Sequence, residues 1–228
     1  MRMIPVTVVL MLLAAGCDMQ KSAQNNTDNI IKILNEPAPA ALPLVKDKAA
    51  PDADSANDED LANASAAIEA FSSSLQYELV SAMQEDGPVN ALGICHTRAM
   101  PVTREVSEEH GMLLSRVSLK YRNPANAPND WQARVLKEFE TRKENGEAMA
   151  NLSYSEVVEQ DGARQFRFMK AIPVRAVCLT CHGSELAPDL QAKLSDLYPG
   201  DRATGFQLDD IRGAFVVVKD LAPRVEPE

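Results

Sequence analysis

The sequence has no apolar run approaching the ~20 residues that a helix needs to cross a bilayer. It is also poor in aromatic side chains, at 5% of 228 residues, and its net charge is −10. That combination excludes a chain built to grip nucleic-acid phosphates with basic and stacking side chains. Ten glycines and fourteen prolines exclude a collagen-like chain. Four cysteines are too sparse in this length for a disulfide-stapled miniprotein. There is no internal repeat. What is present is 45% apolar and 25% charged residues, enough to bury one sizeable core. The cysteines need not pair with one another, since each can be given its own chemistry.

The beginning of the chain reads as an export signal over residues 1–16: Arg2, an apolar run from Val6 to Leu13, then Ala14, Ala15 and Gly16 ahead of Cys17. Leu13 to Cys17 resembles a bacterial lipobox, which makes Cys17 a lipidation site. Acyl chains there would hold the protein on a membrane surface at ~0.8 kcal/mol per buried CH₂. Plain secretion with an incidental Cys17 is the alternative. Asp18 resembles an inner-membrane retention signal. Residues 17–60 are rich in Asn, Asp, Ala and Pro without sustained periodicity, and read as a lipid-anchored flexible tether. The expected location is periplasmic or cell-surface.

The folded domain is expected over residues 61–228. Leu61, Ala64, Ile68, Phe71, Leu75, Leu79 and Met83 mark one helical face, which stops at Gly87-Pro88. A short second helix is expected from Val89 to Cys95. Leu113 to Tyr121 reads as a strand, and the loop to Asn129 caps a helix carrying Trp131, Val135, Leu136 and Phe139. Residues 150–159 and 163–171 read as a hairpin turning at Asp161-Gly162. A helix from Leu186 to Leu197 and a last strand from Ile211 to Lys219 complete the order. It favours an α+β fold with an antiparallel sheet.

Cys178-Leu179-Thr180-Cys181-His182 is a complete C-x-x-C-H motif. Two thiols three positions apart on a helical turn can add to the two vinyl groups of one porphyrin, and the histidine can place a nitrogen on its iron. The motif therefore calls for one covalent haem c, with Cys178, Cys181 and His182 binding the cofactor and His182 on the metal. A thioredoxin-like site lacks its preceding βαβ pattern. A zinc site lacks a second paired cluster, since only Cys95, His96 and His110 remain. A disulfide between the two motif cysteines leaves His182 unexplained.

Cys95 is then an orphan thiol in an oxidising compartment. Inert burial, an intermolecular disulfide and axial ligation of iron are all open to it. His96 is the commoner type of haem ligand, Met100 and Met112 are flexible thioethers, and Met83 and Met169 fall on packing positions. His110, among charges, reads as solvated. Arg122, Arg202 and Arg212 could face haem propionates, although each is more often an ordinary surface arginine.

Segments around the motif resemble a bacterial c-type haem-binding family with a PAS-like fold, typified by a cyanobacterial Tll-type haem protein. They are Arg122-Asn123-Pro124 with Asn126 and Pro128, Phe166-Arg167-Phe168 leading to the motif and Gly183, Tyr198 to Phe206, and Gly213-Ala214-Phe215. Together they cover residues 61 to 220. The resemblance implies a PAS-like antiparallel sheet flanked by helices, with covalent haem whose iron is held by His182 and by the upstream Cys95. His96 is then the second choice. The family resembles sensor domains placed before histidine kinases. The sequence departs from those in ending at Glu228, so a separate sensor protein or a redox partner protein is expected. No catalytic apparatus is legible. Redox sensing or one-electron transfer is the expected function, and a small peroxidase-like or gas-binding haem protein, with five-coordinate iron, is the alternative.

Overall fold

The computed structural model describes residues 56–160 and 163–222, and of Ile94, Cys95 and Gln160 it describes the backbone alone. The export signal, Cys17, the tether through residue 55 and the Asp161-Gly162 turn lie outside the described residues. Four strands build one antiparallel sheet: β1 (Leu113–Val117), β2 (Ser153–Gln160), β3 (Ala163–Pro173) and β4 (Ile211–Leu221). They lie in the order β1-β4-β3-β2, so the two longest strands occupy the centre.

β4 carries an unbroken apolar run because both of its faces are covered. Val217 and Phe215 pack with Phe166, Phe168, Phe71 and Val106 on one face, while Val216 and Ala214 pack with Met169, Val135, Leu136 and Phe139 on the other. Burying each of these valines contributes about 1.5–3 kcal/mol. A single period-2 stripe would have been enough for a one-sided sheet.

The first of those faces is covered by α1 (Asp58–His110), which is two helical arms joined at Gly87, whose φ of 78° and ψ of 177° are non-helical. Only glycine holds such a conformation cheaply, and Pro88 suits the first turn of the resumed helix. The arms run antiparallel. Arg98 clasps both carboxylate oxygens of Glu78 at 2.7 and 2.8 Å, and near the open end Asn63 hydrogen-bonds both the His110 carbonyl at 3.1 Å and its Nδ1 at 2.8 Å. Helical structure starts at Asp58, ahead of Leu61, because the Asn57 side chain accepts from the Asp60 N–H.

The second arm does not stop near Cys95 but runs on to His110, despite Pro101 in its interior. Val102 and Val106, one turn apart, are buried against the first arm and hold it helical. Gly111, at φ 62°, ends it in a left-handed cap. His110 is thus engaged by Asn63 rather than merely solvated, and Met112 is buried in the core.

α2 (Asp130–Glu144) covers the other face, started by a reciprocal capping box between Asn129 and Gln132. Several strand boundaries differ from expectation. β1 ends at Val117 because Ser118 turns its hydroxyl to the Arg212 carbonyl and its N–H to the Asn126 carbonyl. Residues 150–151 form part of a 3₁₀ turn, so β2 begins at Ser153. β3 and β4 extend to Pro173 and Leu221.

Candidate haem site

The C-x-x-C-H segment lies in the connection between the central strands β3 and β4. After Pro173 the chain makes a 3₁₀ turn (Ala176–Cys178) that runs directly into α3 (Leu179–His182), followed by α4 (Pro188–Leu197) and a loop back to β4. Both cysteines lie on this one helical passage. Cys178 beds against Val174, Ala203 and Phe206, and Cys181 against Leu92, Leu190 and Leu194. The two sulfurs thus face different apolar clusters on either side of the turn. The Arg175 N–H donates to Cys178 Sγ at 3.4 Å.

His182 is half-buried and held by its Nδ1, 2.7 Å from the Ala203 carbonyl oxygen. A carbonyl can only accept, so Nδ1 carries the proton and Nε2 is left with its lone pair. This is the tautomer a metal-ligating histidine needs, and fixing it through the other ring nitrogen is the usual device of such ligands. Burial, then the charges of Arg212 and Arg122, hold the imidazole well below its ordinary pKa, so it is neutral at pH 7.

The loop that presents Ala203 is itself clamped. Arg122, only 9% exposed, donates from Nε to Asp201 at 3.1 Å and from Nη2 to the carbonyls of Cys181 at 2.5 Å and Ala203 at 3.3 Å. The other Asp201 oxygen accepts from the Ala203 N–H at 2.8 Å. Backbone bonds from Gly205 to the Gly183 carbonyl and from Phe206 to the His182 carbonyl complete the clamp. Gly183 is required by close approach: a Cβ there would stand 2.6 Å from the Leu179 oxygen.

Cations gather here in a chain that is acidic as a whole. Arg212 Nε lies 3.4 Å from His182 Nε2, and its Nη1 donates to the Lys120 carbonyl at 3.2 Å. Burial, followed by the charges of Arg122 and Arg116, brings the Arg212 pKa down to about 10. Lys120 Nζ and the Arg212 guanidinium lie 4.4 and 5.4 Å from the Phe206 ring centre. Such a cluster suits a ligand with carboxylates, and a neutral, oriented imidazole beside two thiols suits haem. The residues present fit that group.

Of the expected site residues, Cys178, Cys181 and His182 are brought together. Cys95 lies on the second arm of α1 between Leu92, which packs with Leu190 and Leu194, and His96, whose ring meets Tyr198 edge-on; its side chain is outside those described. Met100 is exposed, Met83 half-buried and Met169 fully buried. Arg202 is exposed over Tyr121, whereas Arg122 is buried and Arg212 half-buried, not ordinary surface arginines. In the sequence these two are marked only by place, Arg122 opening one of the family-resembling segments and Arg212 directly preceding another.

Among the described residues no helix is long and apolar enough to cross a membrane, and no cluster of three or more His, Cys, Asp or Glu is placed to hold a metal ion. No curated protein matches the chain. A crystal structure of the cyanobacterial heme-protein Tll0287 is similar to it with a TM-score of 0.54 and 25% identity, covering 75% of this chain and 100% of that one. The sequence profile of the Tll0287-like family matches residues 18–219, and the chain belongs to that family.

Proposed function

We propose that the chain binds one haem c and serves in redox sensing or one-electron transfer, as an exported lipoprotein anchored through Cys17 and carrying a PAS-like domain. The observation that carries this reading is His182 held in its ligating tautomer by the Ala203 carbonyl, on the same turn as Cys178 and Cys181. The similarity to a heme-protein supports it. Haem supplies a one-electron couple between ferric and ferrous iron.

In this reading Cys178 and Cys181 would hold the haem through thioethers, His182 would offer Nε2 to the iron, and Cys95, on the neighbouring helix, would supply a second iron ligand. Arg212 gives up its contact with Nε2 and, with Lys120, offers donors to the porphyrin carboxylates. With two protein ligands on the iron, electron exchange would be favoured over chemistry on a bound substrate. A thiolate at Cys95 would favour the ferric state. The partner is a separate sensor or redox protein.

The test is to express the full chain with a c-type maturation system. A pigment retained after denaturation and organic extraction, with a matching mass increase, is expected. Bare processed polypeptide would overturn the proposal. Electron paramagnetic resonance of wild type, Cys95→Ala and His96→Ala assigns the second ligand: a thiolate-type low-spin signal lost only in Cys95→Ala is expected, and loss only in His96→Ala would move the ligand to His96.

A further inference from the structure

The Ala203 carbonyl oxygen is shared. It accepts from His182 Nδ1 at 2.7 Å and from Arg122 Nη2 at 3.3 Å. Arg122 is buried in an ion pair with Asp201, side chains 10% and 11% exposed, and the same carboxylate holds the Ala203 N–H. The backbone of one residue is therefore gripped at its N–H by an anion, and at its carbonyl by a cation and an imidazole. We propose that Arg122 is a positioning residue for His182, setting through this shared carbonyl how strongly the imidazole donates electrons from Nε2.

The physical argument is one of competition. A histidine whose N–H is bonded to a strong acceptor becomes a more basic ligand, and a carboxylate acceptor takes this furthest. Here the acceptor is a neutral carbonyl, and part of its electron density is engaged by a guanidinium. The Nδ1–H bond is weakened and the imidazole kept a modest donor, which destabilises ferric relative to ferrous iron. The pair with Asp201 moderates the effect, because the carboxylate neutralises the buried cation.

This inference rests on the reading that His182 binds the iron, yet its first test is independent of haem. In the full chain prepared without maturation, the His182 Nδ1 proton resonance is expected to move downfield in Arg122→Gln, where the carbonyl serves imidazole alone. An unmoved resonance overturns the proposal whether or not haem is attached in the native protein. In the haem-loaded full chain the midpoint potential is expected to fall in Arg122→Gln and to rise in Asp201→Asn, which leaves the cation uncompensated while still accepting from the Ala203 N–H. A merely structural role would shift both variants the same way or neither, and that result sinks the idea. If Arg122→Gln does not fold, Arg122→Lys takes its place. It keeps the charge but not the forked reach to two carbonyls, so the proton resonance is expected to move downfield and the potential to fall, though by less than in Arg122→Gln, and an unmoved resonance again overturns the proposal.

Discussion

The His96 ring stands edge-on to that of Tyr198, with centroids 5.1 Å apart and planes at 71°. Tyr198 directly follows α4, so this contact ties the second arm of α1 to the connection that carries the C-x-x-C-H turn. Leu92, one turn earlier, makes the matching apolar contact with Leu190 and Leu194. The helix bearing Cys95 is thus docked on the site by a small cluster separate from the main core.

Truncating that cluster should loosen the docking without unmaking the sheet. Leu92→Ala is expected to cost about 2–4 kcal/mol, the range for emptying a buried leucine site, in urea unfolding. Amide exchange should quicken in the second arm and α4, with β3 and β4 little changed. Uniform quickening across the sheet would contradict a separate cluster.

Gly183→Ala is expected to lower the yield of attached haem and to destabilise the chain by about 1–3 kcal/mol. Its Cβ would stand 2.6 Å from the Leu179 oxygen and must displace the turn that aims His182. Gly146→Ala is the control: that glycine has a φ of 89° but no atom within 4 Å of the added Cβ, so it should lose only about 1 kcal/mol and keep full haem content. Equal haem loss in both would refute the steric argument.

At the far end of the helical hairpin, Lys219 Nζ lies 2.6 Å from the Asp60 carboxylate, whose side chain is 4% exposed against 37% for the lysine. Lys219→Met should cost about 1–2 kcal/mol, less than for a fully buried pair because the lysine is open to solvent. Adding Asp60→Asn should recover part of that loss, and simple additivity in the double-mutant cycle would count against coupling.

The Glu147 carboxyl is held below the ordinary carboxylate range chiefly by its hydrogen bond to Arg142, which also donates to the carbonyls of Ser153 and Asn151. A depressed carboxyl pKa contributes stability above its unfolded value, near ~4.3, and loses it as pH falls through the folded value. Acid titration of stability should therefore be shallower in Glu147→Gln below pH ~4.3. Identical acid limbs for the two proteins would dismiss the linkage.

Several of these features could be read from residue order, and others could not. The Gly87-Pro88 break, the Asn129 cap and the central strands are local signals, and each lies where its side-chain chemistry puts it. The continuation of helix past Cys95 was hidden by Pro101 and by the charges of Arg104, Glu105, Glu108 and Glu109, whereas Val102 and Val106 on the same stretch are buried against the first arm. The motif residues were plain from spacing alone. What orients them was not: Asp201 lies 79 positions from Arg122 in the chain, and the acceptor for His182 is a backbone carbonyl, a group every residue carries.

The C-x-x-C-H excursion is closed at its base, where Val174 and residues 209–210 exchange backbone hydrogen bonds of 2.8 and 2.9 Å. Its entry and exit therefore meet, and the paired strands below keep their register whatever the loop contains. Evolution could rewrite or exchange this insert as a cassette, with the sheet as an indifferent chassis; the graft would still have to bring the Leu190 and Leu194 face that receives the hairpin.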